Sequence, residues 1–436
     1  MTLATPQTPG TRAPRDRRSL RARVRGSVLG VPGFRWLWTG QAVSTLGDQV
    51  FPVAVTVAVL DAGGGAGQVG LVLGARWLAV VLFALVGGVW ADRLPRRVVM
   101  ISADVFRLLV VGALAVIPVM PPVAVLAGLV FLVGAGEAFF RPAETALLPS
   151  LLPAERLPAA NGLISISYRS MAVLGPGLGG LLVVGLGDVR LAFAVNAVTF
   201  LVSALCLLRV PEPGRVAAGP RSSFVAELRE GLAEVRRHRW VVATLLGASV
   251  LLMAVIAPEN VLLPIIGRRE FGTDAVYATA LAVFSLGGVV GALIAMRVRP
   301  RHPGRVAWLW GLVWVSIPLA LLFPVSPWLI YAAYAASGAA WEPFAVYWQS
   351  AIQREIPQDR LARVSSVDWM ASLALMPAGL ALTGPLVGLV GEAVVLVGAG
   401  TVLVLVTLIV LRVPGVADFR DPRSTSTARP APSAPE

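Results

Sequence analysis

Gly87-Gly88-Val89-Trp90-Ala91-Asp92-Arg93-Leu94-Pro95-Arg96-Arg97 is a short charged joint between two long apolar runs. Gly87 and Gly88 let the preceding helix approach a neighbour closely, the turn is short, and one carboxylate sits among three guanidiniums. Outward from this joint, apolar runs of ~20 residues, the length that crosses hydrocarbon as a helix, recur along the chain. They lie at 35–60, 68–91, 98–119, 122–146, 159–185, 189–209, 240–266, 275–297, 305–323, 327–351, 360–390 and 393–412. Composition asks for the same solvent. Of the 436 residues 56% are apolar and only 14% charged, against roughly 25% charged in a soluble chain. The expected class is an all-α, multi-pass membrane protein with 12 transmembrane helices.

An even number of spans puts both termini on one face, and the basic residues say which. All 37 are arginine, for the chain has no lysine, an imbalance that resembles the codon bias of GC-rich DNA. With the N-terminus in the cytoplasm, 31 fall on cytoplasmic segments or helix ends. Three (Arg190, Arg268 and Arg269) fall on the opposite side and three (Arg76, Arg107 and Arg169) within spans. That asymmetry is the positive-inside rule, and it accounts for the net charge of +13. Nucleic acid is therefore not an expected partner; the lipid bilayer is. Both termini are expected in the cytoplasm. No cleavable apolar core follows the arginine-rich residues 1–33, so they are expected to stay as a tail.

The chain also repeats itself. Adding 204 to a first-half number carries Arg35-Trp36 onto Arg239-Trp240, Ala91 and Arg93 onto Ala295 and Arg297, Arg156-Leu157 onto Arg360-Leu361, and Gly175 onto Gly379. Arg209-Val210-Pro211 matches Arg412-Val413-Pro414 after a single-residue slip. Six spans per unit is even, so the units run the same way through the bilayer as two six-helix bundles in a parallel pseudo-twofold repeat. The expected divisions are a tail at 1–33, bundles at 34–210 and 239–412, a cytoplasmic linker at 211–238 with an amphipathic helix near Phe224 to Val235, and a disordered tail at 413–436.

Several chemistries are excluded by residue counts. The lone cysteine, Cys206, and the two distant histidines, His238 and His302, form neither a disulfide framework nor a metal site. Without lysine there is no phosphate-cradling loop ending in Lys-Ser or Lys-Thr, so an ATP-driven pump is not expected. Nor is an enzyme, and no cofactor is expected.

Ionisable groups within spans are costly, ~2.5–3.5 kcal/mol each on insertion scales, and so mark function. Asp48 lies deep in the first run beside Ser44, Thr45 and Gln49. Glu137, Arg141 and Glu144 follow spacings of four and three on the fourth run, hence one face. Arg169 is near the middle of the fifth, Glu259 near the outer end of the seventh, Glu342 deep in the tenth and Asp368 in the eleventh. Asp48, Glu137, Arg141, Arg169, Glu342 and Asp368 are expected to form a proton and substrate relay around a central cavity. Arg76, Asp104, Arg107 and Glu144 read instead as locally ion-paired. Trp36, Trp38, Trp308, Trp310 and Trp328 read as interfacial anchors; Trp341, Trp348 and Trp369 are deeper.

Gly175-Pro176-Gly177-Leu178-Gly179-Gly180 places four glycines and a proline in an apolar helix, where helices pack closely and bend. With the joint at 87–97 it carries a resemblance. The joint resembles the loop signature of the major facilitator superfamily, with Pro95 in place of its second glycine. The fifth run resembles the pattern of superfamily antiporters that export, with Gly162 at the farther expected glycine and Met171 at the nearer. Leu46-Gly47-Asp48, Arg141-Pro142-Ala143 through Leu151-Leu152-Pro153, and Gln353-Arg354-Glu355-Ile356-Pro357 with Arg363-Val364-Ser365-Ser366 are similar to the third drug:proton antiporter group, with its macrolide-efflux-like and siderophore-exporter-like bacterial proteins.

The resemblance implies the major facilitator fold, a monomer in the inner (plasma) membrane, and proton-coupled export of an amphipathic small molecule, a drug or secondary metabolite, by alternating access. It implies a gating loop of Gly88, Asp92, Arg93, Arg96 and Arg97, with Asp92 facing the region of Asp359 to Arg363. It assigns Gly162, Gly175, Pro176, Gly179 and Gly180 to the helix-5 motif. An importer or lipid flippase of the same fold is the alternative, a non-transporting membrane sensor a further one.

Overall fold

In a bilayer every backbone N–H and C=O must be satisfied within its own segment, and the chain answers with helices throughout. The computed structural model describes residues 28–212 and 224–420. The first six long helices are α1 Pro32–Asp61, α2 Ala66–Arg93, α3 Arg96–Val116, α4 Val123–Leu151, α5 Leu157–Gly180 with a π turn at Leu181–Gly185, and α6 Val189–Leu207. The next are α7 Arg239–Phe271, α8 Ala275–Arg297, α9 Pro303–Leu322 and α10 Pro327–Glu355. Then come α11, made of Gln358–Leu373 and Met376–Val390, and α12 Glu392–Leu411. Among the described residues ten helices are long and apolar enough to cross a membrane. The two long helices outside that group are α5 and α10, each carrying an ionisable residue mid-helix, Arg169 and Glu342.

Local chemistry sets the ends. Asp188 accepts the Arg190 N–H at 2.9 Å to cap α6, and prolines open α1, α9 and α10 in the first turn. Gly272, at φ +68°, ends α7 in the left-handed conformation that glycine adopts without strain.

Packing repeats between halves. In the first, α1 lies against α5 and α6, α2 against α4, and α3 against α4 and α6; in the second, α7 lies against α11 and α12, α8 against α10, and α9 against α10 and α12. The α2–α4 and α8–α10 contacts use the same device. A side chain at Gly87 would strike the Ala138 carbonyl and one at Gly134 the Arg76 carbonyl; at Gly291 and Gly338 the obstacles are the Ala339 and Phe284 carbonyls. The two sets meet chiefly where α2 packs on α11 and α5 on α8.

Between the sets in sequence, the linker helix Phe224–Arg237 lies along α11. Gly231 packs on the Arg363 backbone, Glu230 pairs with Arg363 at 2.8 Å, and buried Glu234 holds Arg360 and Arg237. Residues 413–420, expected to begin a disordered tail, instead form a packed hook. Val416 and Phe419 are fully buried, Phe419 against Trp240, Trp348 and Phe344, and the Phe419 carbonyl accepts from Arg354 at 3.1 Å. The apolar pair spaced by three, Val416 and Phe419, drives this by leaving water. Trp308 likewise departs from its expected interfacial place: it is buried edge-on to Phe344 at 5.4 Å. Trp328, 77% exposed, fits an anchor.

Phe419→Ala should cost about 3 kcal/mol and lower the Tm of the detergent-solubilised protein; an unchanged Tm would show the hook adds nothing. A second expectation concerns pH. Burial works against the Glu234 carboxylate, but the hydrogen bond and charge of Arg360, then Arg237 and His238, outweigh it and hold its pKa below the ordinary 4.5. Its stabilising contribution is therefore complete above that value and lost as pH falls through the lower folded one. Glu234→Gln should speed protease cleavage in the linker at neutral pH, and the gap from wild type should close in acid. A gap independent of pH rules this out.

Candidate functional site

A cavity of about 870 Å³ lies between the two helix sets, within the usual range for a small-molecule site. The first set gives it charge and the second gives it mostly apolar and aromatic surface: Leu252 and Ile256 at a π turn in α7, Leu281, Phe284 and Trp341. The cavity reaches toward Trp38, Gln41 and Glu144 at the end where α1 begins.

Its charged wall is one connected network. Glu137 on α4 accepts from Arg76 of α2 through Nε at 3.1 Å and Nη2 at 2.9 Å on one oxygen. Its other oxygen accepts from Arg141 Nε at 3.1 Å and Nη2 at 3.0 Å. Asp48 stands between Arg76 at 3.9 Å and Arg107 at 3.6 Å, without a hydrogen bond to either. Arg107 pairs with fully buried Asp104 at 2.6 Å and lies over the Phe140 and Phe200 rings at 4.8 and 4.3 Å. Across the cavity, Arg169 of α5 meets Glu342 of α10 at 2.5 Å, an ion pair joining the two helix sets.

Of the expected relay, Asp48, Glu137, Arg141, Arg169 and Glu342 thus converge on the cavity. Asp368 does not. Its carboxylate turns to α10, accepting from Trp348 Nε1 at 3.1 Å and Gln349 at 3.5 Å, and it is not among the lining residues. Glu259 is buried away from the cavity, accepting from Trp314 Nε1 at 2.6 Å. Arg107 pairs with Asp104 as expected, but Arg76 bridges to another helix and Glu144 makes no ion pair among the described residues. Arg76 had a signal in sequence: positions 72, 73, 79 and 80, the only ones a helix brings beside it, are all apolar.

The glycine motif is mainly a packing surface. Gly175 and Gly179 lie against Gln49 and Val53 of α1, Gly180 against Ala278 of α8, Gly162 faces open space and Pro176 lines the cavity. In the joint, Arg96 donates to the Ala146 carbonyl at 2.7 Å and Arg97 to the Val210 carbonyl at 3.0 Å, tying α3 to α4 and to the end of α6. The expected contact of Asp92 with Asp359, along with Gly88 and the Arg93 side chain, lies outside the described residues.

At the far end the two sets close. Side chains at Gly70 and Gly384 would strike the Leu380 carbonyl and the Gly67 backbone, so α2 and α11 touch main chain to main chain. Arg268 spans the same end, donating to Asp61 of α1 at 2.8 Å and to Asp274 at 2.8 Å through Nε.

A family model described as Major Facilitator Superfamily matches residues 37–372. The chain is similar to macrolide efflux protein A of Streptococcus pyogenes, 26% identical over 366 residues covering 80% of this chain and 88% of that protein. It is also similar to multidrug efflux pump Tap of Mycolicibacterium fortuitum, 30% identical over 361 residues covering 78% and 85%. Its fold matches a bacterial homologue of the iron transporter ferroportin in the inward-facing state, with TM-score 0.65 at 17% identity over 88% of this chain and 99% of that one. These matches are to transport proteins, not enzymes.

Because the α2–α11 contact leaves no room for a Cβ, Gly384→Val should prise that end open. Asn260→Cys, in the cavity wall, should then react faster with an impermeant thiol reagent applied from that face, against the low background of buried Cys206. Equal labelling with and without Gly384→Val would mean the contact does not seal the cavity.

Proposed function

Since the chain belongs to the Major Facilitator Superfamily and is a multi-pass membrane transporter, we propose that it exports amphipathic small molecules from the cytoplasm in exchange for protons, by alternating access. In this reading all of α1–α12 cross the plasma membrane. The helices α5 and α10 are too polar to qualify on hydropathy because their charged faces look into the cavity rather than at lipid. Residues 34–210 and 239–412 are two bundles in a parallel repeat and 211–238 their cytoplasmic linker. Both termini lie in the cytoplasm, the chain acts as a monomer, and Asp92 latches the cytoplasmic side against α11. The matched internal packing of the halves supports this, and so does the arginine asymmetry. The names of the relatives, efflux proteins for macrolides and for multiple drugs, support export. The sealed end is then extracellular and the cavity faces the cytoplasm.

The observation that carries proton coupling is the inequality of two neighbouring carboxylates. Glu137 is held by two guanidiniums, with 9% of its side chain exposed; Asp48 touches its arginines only at 3.6 and 3.9 Å, with 20% exposed. Asp48 accepts a proton without giving up a hydrogen bond, whereas protonating Glu137 breaks one paired to an arginine. Asp48 is the proton carrier and Glu137 the fixed counter-charge.

In everted vesicles with an imposed proton gradient, adding a macrolide or another amphipathic antibiotic should dissipate the gradient. Asp48→Asn should abolish that response with the protein still inserted. No response from the wild type across the antibiotic panel defeats the antiport reading, and a normal response from Asp48→Asn moves the proton elsewhere.

A further inference from the structure

The two helix sets pack alike, yet one interior is filled where the other is left open. Adding 204 carries Asp104, Arg107 and Glu137 onto Trp308, Gly311 and Trp341. In the first set the Arg107 side chain occupies that interior: it lies over the Phe140 and Phe200 rings, and a Cβ at Gly136 would strike its Cγ. In the second set Gly311 has no side chain to put there, and a Cβ added to it would meet nothing within 4 Å. What remains is a second pocket, of about 40 Å³, with Gly311 and Ala340, the repeat of Gly136, in its wall. Both helices beside it change winding at this level. The helix α7 makes its π turn at Leu252–Ile256 and α9 a 3-10 turn at Leu312–Val315, departures that recur at functional sites and hinges. Leu252, Ile256 and Trp341 line the large cavity as well, so the pocket adjoins the cavity's aromatic side.

The walls of the pocket narrow what fits it. Aliphatic and aromatic groups make up nearly all of its surface, and among the described residues no ionisable side chain lines it. A charge entering it would lose its water without gaining a partner, and a space with apolar walls stays dry. Its volume is little more than the ~30 Å³ that one water takes in the liquid, too small for a ring. We propose that this pocket is a side subsite of the cavity and that it takes a short, uncharged alkyl end of the transported molecule, with Gly311 supplying the room. The assignment rests on the transport reading above and deepens it by naming the chemistry and size of one end of the substrate.

The test is equilibrium binding to the purified full-length protein in nanodiscs, referred to empty nanodiscs and with no gradient present. Its probes are the neutral fluorophore N-methyl dansylanilide and the para-ethyl and para-cyclohexyl derivatives of its anilide ring. Wild type should bind the ethyl compound about tenfold more tightly than the parent, the gain of burying two carbons. The cyclohexyl compound, too large for the pocket, should bind no more tightly than the parent. Gly311→Val, which fills the space, should remove the ethyl advantage, with binding of the parent reporting that the variant is folded. Affinity that keeps rising from ethyl to cyclohexyl overturns the assignment, because a merely greasy wall has no size limit. So does equal affinity for ethyl compound and parent, or no binding by any of the probes. An ethyl advantage that persists in Gly311→Val overturns it too, as does a parallel loss of ethyl compound and parent, which marks a structural role. If Gly311→Val does not fold, the wild-type size series decides alone. Because no proton moves in this measurement, the size limit survives a failure of the vesicle experiment, and the two readings fail separately.

Discussion

A guanidinium at membrane depth must be met by an opposite charge, and Arg76 has none within a turn of it on its own helix. It finds one in Glu137 of α4. The reach is made possible by Gly134, one turn before Glu137, where a side chain would collide with the Arg76 carbonyl. Main-chain contact and ion pair are thus one arrangement: the missing Cβ lets α2 and α4 close, and closure puts the arginine on the carboxylate. Arg141 then completes Glu137, Arg107 is drawn to Asp104 and Asp48, and the charges collect on one inner wall. The outward faces are left apolar for lipid.

The second half keeps the frame of this arrangement and replaces its chemistry. Gly338 meets the Phe284 carbonyl as Gly134 meets that of Arg76. Adding the repeat of 204 carries Glu137 onto Trp341 and Arg76 onto Ala280. The buried pair has become an aromatic group in which Trp341 lies edge-on to Trp314 at 5.3 Å and stacks on Phe344 at 5.8 Å. A scaffold whose halves pack alike, with one electrostatic and one aromatic wall, is what the proposed export of amphipathic molecules calls for. Helix packing needs only the glycines, so the lining was free to diverge while the backbone stayed matched.

Helix positions were legible in sequence because hydrocarbon thickness and end-capping are local and strict. The eighth run, expected at 275–297, is the helix Ala275–Arg297, and the linker helix expected near Phe224 to Val235 runs Phe224–Arg237. Convergence of Asp48, Glu137, Arg141, Arg169 and Glu342 was also legible, since the burial of a charge is itself the signal. Partnership was not. Spacings of three and four reveal Asp104 with Arg107, but not Arg76 with Glu137, which are 61 positions apart, nor the turning of Asp368 toward Trp348. Trp308 and Phe419 show the same limit. A tryptophan near a span end suits the membrane interface and a phenylalanine past the last span suits a disordered tail, and only the neighbouring helices decide that these two are covered by protein instead.

Contacts within each helix set differ in kind from those between the sets, and the proposed alternating access draws on that difference. Within the first set, doubly bridged Glu137 and the Gly134 contact bury charge and main chain together, so separating α2 from α4 would take from Arg76 its hydrogen-bonded carboxylate, at a cost of about 3–5 kcal/mol. Between the sets, at the closed end, Arg268 meets an Asp61 that is 59% exposed. A bridge as wet as this contributes ~0–1 kcal/mol, because water replaces either partner when it opens. The main-chain contact of α2 with α11 is flanked by buried Val69, Val72, Met376 and Leu380, so parting it also exposes apolar surface. In the proposed cycle each set would therefore move as a rigid body, and the wet ion pair of the closed end would add little to the cost of parting it. Between the sets Arg169 also meets Glu342, in the cavity wall, where in the proposed cycle an arriving solute would compete for the pair directly.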